Sequence, residues 1–212
     1  MTLYLKNLAI HNRQGEALLH NLDLTIQNGE VVCVMGPSGC GKSTLLNLIA
    51  GHLSDDFQAQ GEIILDEREI NQVEAHQREV GILFQDDLLF PHLNVWQNLA
   101  FALPNQIKGQ QRKKDALQAL QSVGLDTLAN QYPEHISGGQ RARVSLIRML
   151  LAKPKLALLD EPFSKLDQQL RVQFRDWVFS QLSKAHIPTL LVTHDEQDVP
   201  PEGRILHWRW GK

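Results

Sequence analysis

Apolar positions alternate with polar ones near both ends of the chain and fall at helical spacing in its middle. Leu3, Leu5 and Leu8, then Leu22, Leu24 and Ile26, mark two half-buried strands. Asn28-Gly29, just before the next apolar run, is a hairpin signal. Val31-Val32-Cys33-Val34-Met35 is short and uninterrupted, as expected of a strand buried on both faces. It leads into a glycine-rich loop, Gly36 to Gly41, and then into a helix whose buried stripe is Leu45, Leu46, Leu48 and Ile49 and which Gly51 ends. Ile63-Ile64-Leu65 and Val80 to Phe84 are expected to be further strands.

From about Asp86 to Ala152 the spacing turns helical, with Ala116, Leu117, Leu120 and Val123 on one face and Val144, Ile147 and Leu151 on another. Strands return at Leu156 to Leu159, Thr189 to Val192 and Ile205 to Trp208. Leu166, Leu170, Phe174 and Val178 fall four apart and predict a long helix between the first two. Pro200-Pro201 should stop a helix that begins near Asp195. The pattern predicts an α/β core, residues 1–85 and 153–212, interrupted by a helical subdomain over 86–152.

A length of 212 residues suits one domain with an inserted subdomain. With 21 Lys and Arg against 24 Asp and Glu, the net charge of −3 argues against a protein that coats nucleic acid. Two cysteines, Cys33 and Cys40, make no disulfide framework and fit a reducing compartment. The nine histidines are scattered, without metal-ligand spacing. No apolar run approaches the ~18 residues of a membrane span, and the opening MTLYLKNLAI alternates like a strand rather than a secretory signal.

Three segments carry chemistry. Gly36-Pro37-Ser38-Gly39-Cys40-Gly41-Lys42-Ser43, followed by Thr44, fits the phosphate-loop pattern G-x4-G-K-[ST] between a buried strand and an amphipathic helix. Its glycines let backbone N–H groups converge on phosphate oxygens, and the following helix adds its positive end. Lys42 is placed to bridge the β- and γ-phosphates and the Ser43 hydroxyl to hold Mg²⁺. Cys40 is either a small side chain that the loop tolerates or, at a helix N-terminus that lowers a thiol's pKa, a modifiable one. Leu156 to Leu159 lead into Asp160 and Glu161. A carboxylate at such a strand tip suits Mg²⁺, and the second acid could polarise an attacking water. Finally, Ser137-Gly138-Gly139-Gln140 opens a helix, either as a simple N-cap or as a second anion site.

Taken together these segments resemble the ATP-binding subunits of ABC transporters. Gly36 to Ser43 matches the Walker A motif of that family, Leu156 to Asp160 with Glu161 its Walker B motif and catalytic acid, and Ser137 to Gln140 its signature. Gln85 resembles the Q-loop glutamine, Ser164-Lys165-Leu166-Asp167 the D-loop, and His194 the switch histidine. The run from Phe84 to Val95, with Glu161-Pro162-Phe163-Ser164, narrows the likeness to bacterial small-solute importers of the thiamine, polyamine and iron group.

The resemblance implies a P-loop NTPase core with a mixed sheet, and a head-to-tail dimer enclosing two ATP molecules. Each ATP would meet Lys42 and Ser43 of one copy and Ser137 and Gly139 of the other. Asp160, Ser43 and Gln85 would form the Mg²⁺ and water environment, Glu161 would polarise the water and His194 would contact the γ-phosphate. A separate integral membrane permease, with a solute-binding protein, would be the partner at the cytoplasmic face of the inner membrane, and the region from Gln85 to Asn98 would transmit the motion.

The chain also departs from the family pattern. Ile136 stands for the usual Leu before the serine, and Lys165 for a small D-loop residue. No aromatic residue lies in Ile10 to Gly15 to stack on adenine, which leaves His11 or Arg13. The short stretch after His194 leaves no room for a regulatory domain, and Trp208 and Trp210 are either an edge-strand face packing on the core, the favoured reading, or an interaction patch. The alternative reading is a soluble ABC ATPase, for example of the iron–sulfur assembly type, and a third is a nucleotide-binding scaffold without turnover. Intact Lys42, Asp160, Glu161 and His194 argue against the last.

Overall fold

The chain encodes two kinds of strand, and they form two sheets. In chain order the elements are β1 (Leu3–Asn12), β2 (Ala17–Ile26), β3 (Val31–Met35), α1 (Lys42–Ala50), β4 (Phe57–Leu65), β5 (Arg68–Glu69), β6 (Val80–Leu83), α2 (Val95–Ala102), α3 (Gly109–Gln121), α4 (Gly138–Leu151), β7 (Leu156–Asp160), α5 (Gln168–Lys184), β8 (Thr189–Val192) and β9 (Arg204–His207). The structure, a computed structural model, describes residues 1–209. Residues 1–82, 155–161 and 179 onward make one unit; residues 83–154 and 162–178 make a second, helical one.

In the first unit the amphipathic strands pair antiparallel in the order β2-β1-β4-β5. Leu3, Leu5, Leu8 and Ile10 are buried opposite Ile26, Leu24, Leu22 and Leu19. A spacing of three between Leu5 and Leu8 cannot keep both on one face of a regular strand. Asn7 resolves this by taking a left-handed backbone (φ 48°) where the register shifts, its N–H donating to Asp23 Oδ1 at 2.8 Å. The alternating polar residues of Gln58, Gln60 and Glu62 continue the predicted Ile63–Leu65 strand back to Phe57.

The second sheet pairs in the order β6-β7-β8-β3-β9, parallel at β7/β8, β8/β3 and β3/β9, with the apolar strands β7, β8 and β3 at its centre and the exposed β9 at one edge. Val32, Cys33 and Val34 are fully buried, as a central parallel strand requires. This corrects the hairpin expected at Asn28-Gly29. The chain does turn there, with Glu30 N–H donating to Gln27 O at 2.9 Å, but β2 and β3 lie in different sheets. An all-apolar strand is satisfied only where both faces are covered, so β3 leaves the amphipathic sheet. A second correction concerns the helix expected from Asp195. Only the short turn Glu196–Asp198 forms, because Asp198 turns inward to accept the Thr193 hydroxyl at 2.6 Å.

In the helical unit Val95, Leu99, Ala116, Leu120, Val144 and Ile147 share one core, with Leu117 and Leu151 at its margin. Asn94 caps α2 in a reciprocal box with Gln97. Leu166 is buried but precedes α5, whose start is Gln168 rather than the beginning of the four-residue spacing. Trp208 follows β9 and joins the first unit's core, its backbone N–H donating to Met35 O at 2.6 Å. Trp210 lies outside the described residues.

One buried charge holds the first unit's central helix in place. The Arg78 guanidinium donates to Leu48 O (3.0 Å) and Ile49 O (2.9 Å) at the C-terminal end of α1, and to Val73 O (2.7 Å) and Asn71 O (2.9 Å). A planar fork reaches these four carbonyls; a point-like ammonium cannot. Arg78→Lys is therefore expected to destabilise the protein by about 2 kcal/mol, lowering the melting temperature by roughly 4–8 °C in a chain of this size. A melt unchanged from wild type would show that the α1 carbonyls do not need the fork.

Candidate functional site

Parallel register places three strand ends side by side. Val34 of β3 and Asp160 of β7 both pair with Val192 of β8, so the segments after Met35, Asp160 and Val192 emerge at one edge of the sheet. In open α/β sheets this carboxyl edge is where ligands bind. Gly36 to Thr44, Asp160, Glu161 and His194 all belong to this unit.

The loop after β3 curls around Lys42, which is only 6% exposed. Its ammonium donates to Gly36 O at 2.9 Å and Pro37 O at 2.7 Å, with Cys40 Sγ at 3.7 Å. Pro37, Ser38 and Gly39 are exposed at the rim. Gly41, at φ 108°, opens α1, and a Cβ there would lie 2.5 Å from Leu18, so only glycine lets the loop close on the helix. No side chain caps α1, which leaves its first-turn N–H groups directed at whatever sits in the loop.

The Ser43 hydroxyl lies beside the Asp160 carboxyl. Burial pushes its carboxyl above the ordinary value, and the neighbouring Glu161 adds to this; the Ser43 hydroxyl and the Lys42 ammonium pull the other way. A carboxylate and a hydroxyl are the hard oxygen donors Mg²⁺ takes when substrate oxygens and water complete its shell. Among the described residues no group of three or more His, Cys, Asp or Glu side chains gathers into a self-sufficient metal site.

Glu161 stands in the left-handed region at φ 46°, its N–H donating to Val192 O at 2.9 Å. For a residue with a Cβ this costs on the order of 1–3 kcal/mol. The strained backbone turns the side chain to His194, whose Nδ1 lies 3.0 Å from Glu161 Oε1. His194 is held in turn by a feature the sequence did not reveal. Thr193 Oγ1 donates to the buried Asp198 and accepts from the Asp195 N–H at 3.1 Å, which fixes the bend carrying His194. No spacing pattern signals such a contact, since it depends on a turn of three residues.

The remaining predicted residues lie on the helical unit. Ser137 caps α4, its Oγ accepting from Gln140 N at 3.2 Å while Gln140 Oε1 accepts from Ser137 N at 2.8 Å. The N-cap reading therefore holds, and Gln140 is committed to it. Gly138 and Gly139 form the first turn. A Cβ on Gly139 would lie 3.2 Å from Lys165 O, so the loop 164–167 rests directly on the signature turn. Gln85 is exposed in the bend after β6. Of the two candidates for adenine, Arg13 is tied to Asp55 O (3.0 Å) and Asp56 (3.6 Å), while His11 is half-buried in β1.

A family model described as ABC transporter matches residues 19–164. The chain belongs to the ABC transporter ATP-binding family. It is 48% identical over 204 residues to the uncharacterised ABC transporter ATP-binding protein YnjD of Escherichia coli K12, covering 96% of this chain and 94% of that one. It is 39% identical to the sulfate/thiosulfate import ATP-binding protein CysA of Pseudomonas aeruginosa, covering 94% of this chain but 61% of CysA. With the spermidine/putrescine import ATP-binding protein PotA of Vibrio cholerae it shares 38% identity, over 93% of this chain and 52% of PotA. The structure overlays the dimeric ATP-binding cassette MJ0796 in a post-hydrolysis state bound to ADP and Pi, with a TM-score of 0.84, 31% identity, and 97% and 93% of the two chains covered. The fold is that of an ABC ATPase cassette, and the chain is an ATPase of that family. Among the described residues no helix is long and apolar enough to cross a membrane.

The raised carboxyl of Asp160 fixes the sign of a pH effect. The folded state holds the Asp160 proton more tightly than the unfolded chain does. Its favourable contribution is present below the unfolded value and is lost as pH rises through the folded one. In nucleotide-free protein, Asp160→Asn is expected to melt higher than wild type at about pH 8, the gap closing towards about pH 4. Thermal melts across that range check it, and a gap that widens on acidification would reverse the assignment.

Proposed function

We propose that the chain is the ATP-hydrolysing, energy-coupling subunit of a bacterial small-solute importer, working as a head-to-tail dimer on a separate permease. The observation that carries this reading is the row of Lys42, the Ser43–Asp160 pair and the Glu161–His194 pair along one sheet edge. The names of CysA and PotA support the importer class, and the dimeric MJ0796 cassettes support the assembly.

In this reading the uncapped first turn of α1 and the loop N–H groups hold the nucleotide phosphates, together with residues Gly36 to Thr44. Lys42 exchanges the Gly36 and Pro37 carbonyls for β- and γ-phosphate oxygens, which compensate a buried ammonium better than neutral carbonyls do. Ser43 and Asp160 would hold Mg²⁺, which when bound would neutralise charge on the phosphate oxygens, and Gln85 would carry the metal-binding role that the family pattern gives it. Glu161 orients and polarises the attacking water as general base. His194 holds the Glu161 carboxylate in place and faces the γ-phosphate. Ser137, Gly138, Gly139 and Gln140 of the second copy close over the nucleotide from the N-terminal end of α4, where the helix dipole favours anionic groups.

The helical segment 86–152 serves as the signature subdomain, joined by residues 162–178 that the sequence pattern assigns to the core, and the first unit serves as the nucleotide-binding core. The stretch from Gln85 to Asn98 passes closure of the dimer to the permease, and a solute-binding protein supplies the cargo. The subunit sits peripherally on the cytoplasmic face of the inner membrane.

Removing the general base while keeping its shape tests this reading. Glu161→Gln is expected to slow hydrolysis on the order of 10²-fold or more and to form a dimer with MgATP, measured by light scattering. A variant that binds ATP yet stays monomeric would overturn the composite site.

A further inference from the structure

Lys165 departs from the family pattern in the loop that rests on the signature turn, and its side chain has a specific partner. Its ammonium lies 3.4 Å from Asp87 Oδ1 and 3.9 Å from Asp86 Oδ1. Asp86 is 89% exposed, so Asp87, at 13%, is the partner that water does not compete for.

Asp87 is also bound from other directions. Arg141 Nε donates to Asp87 Oδ2 at 3.1 Å, and Arg141 Nη1 donates onward to Ile136 O at 2.8 Å, the carbonyl immediately before Ser137. The Asp87 carbonyl accepts from Ser145 Oγ at 2.6 Å on the same helix, α4. One carboxylate, two residues beyond Gln85, therefore ties together the bend after β6, the start of α4 and the loop 164–167. All of these residues belong to the helical unit. The backbone gives a second, independent link, since Lys165 O and Leu166 Cδ2 leave no more than 3.2 and 3.3 Å for a Cβ on Gly139.

We infer that Lys165 is a positioning residue: through Asp87 it sets the loop 164–167 against the signature turn, in register with the segment that carries Gln85. The residue replaces the small side chain the family pattern has here with a long cation that reaches back to its own chain. It acts on hydrolysis without touching nucleotide, so it should affect kcat rather than KM for ATP. This rests on the ATPase reading above for its kinetic consequence, but not for the ion pair itself.

A double-mutant cycle on the full chain separates the two. The variants are Lys165→Met, Asp87→Asn, the double variant and Lys165→Arg, read by hydrogen exchange of residues 164–167 and by ATPase kinetics. Lys165→Met is expected to speed exchange about 3-fold or more and to lower kcat about 5-fold, with KM for ATP within about 2-fold of wild type. The double variant should be no worse than Asp87→Asn alone, and Lys165→Arg should restore both readouts. Additive effects, unchanged exchange in Lys165→Met, or a raised KM with kcat preserved would each overturn the inference. Wild-type protein that hydrolyses no ATP would overturn the functional reading instead, while the exchange data would still report on the Lys165–Asp87 pair.

Discussion

The parallel register of β7, β8 and β3 is the constraint on which the first unit's chemistry depends. Because Val192 pairs with both Val34 and Asp160, three loops must leave the sheet at the same level. That brings into one row a phosphate loop and, more than a hundred residues later in the chain, an acid pair and a histidine. The polar groups at this edge are held by strands whose interiors are apolar. Leu156, Leu158, Leu190 and Leu191 are fully buried. A one-residue slip of β7 against β8 would move Asp160 off the edge and reverse which face each neighbour presents. The hydrophobic core thus sets the positions of the charges, and not the reverse.

Those charges are held at a cost to the folded state. Lys42 is buried against neutral carbonyls, Asp160 is pushed towards its protonated form by desolvation, and Glu161 sits on a left-handed backbone. Each arrangement would be relieved by polyanionic phosphate with its metal, or by water to be oriented. A site that is destabilised alone and satisfied by ligand gains affinity from that difference. Arg78 contrasts with these: it is buried too, but its fork is already matched to four carbonyls, and it does structural work at the far end of α1.

Much of this was legible in the sequence, for reasons that differ by residue. The phosphate loop is local: eight consecutive residues specify both the turn and the helix after it. Glu161 was legible because it directly follows an apolar strand. The N-cap at Ser137 was also local, since it directly precedes the helix; the structure adds Gln140, three residues on, as its reciprocal partner. What the sequence hid was non-local or depended on sheet membership. Asn28-Gly29 has the composition of a hairpin, and only the two-sided burial of β3 sends that strand to another sheet. Thr193–Asp198 and Asp87–Lys165 join residues whose separation, five and seventy-eight positions, matches no periodicity.

Lys165 shows why such non-local pairs matter when a family pattern is carried over residue by residue. Judged by the pattern, a lysine in that loop is a charge where a small side chain belongs, and it weakens the expected contact between copies. In the structure the charge is drawn back towards Asp87, which Arg141 also engages, while the backbone of the loop remains packed on Gly139. The departure therefore concerns the side chain and its partner within one chain, and the backbone that the pattern describes is kept. A substitution that looks like a loss at one position is matched by an aspartate seventy-eight residues earlier. The pair, rather than either residue, is the unit through which the loop 164–167 is set against the signature turn.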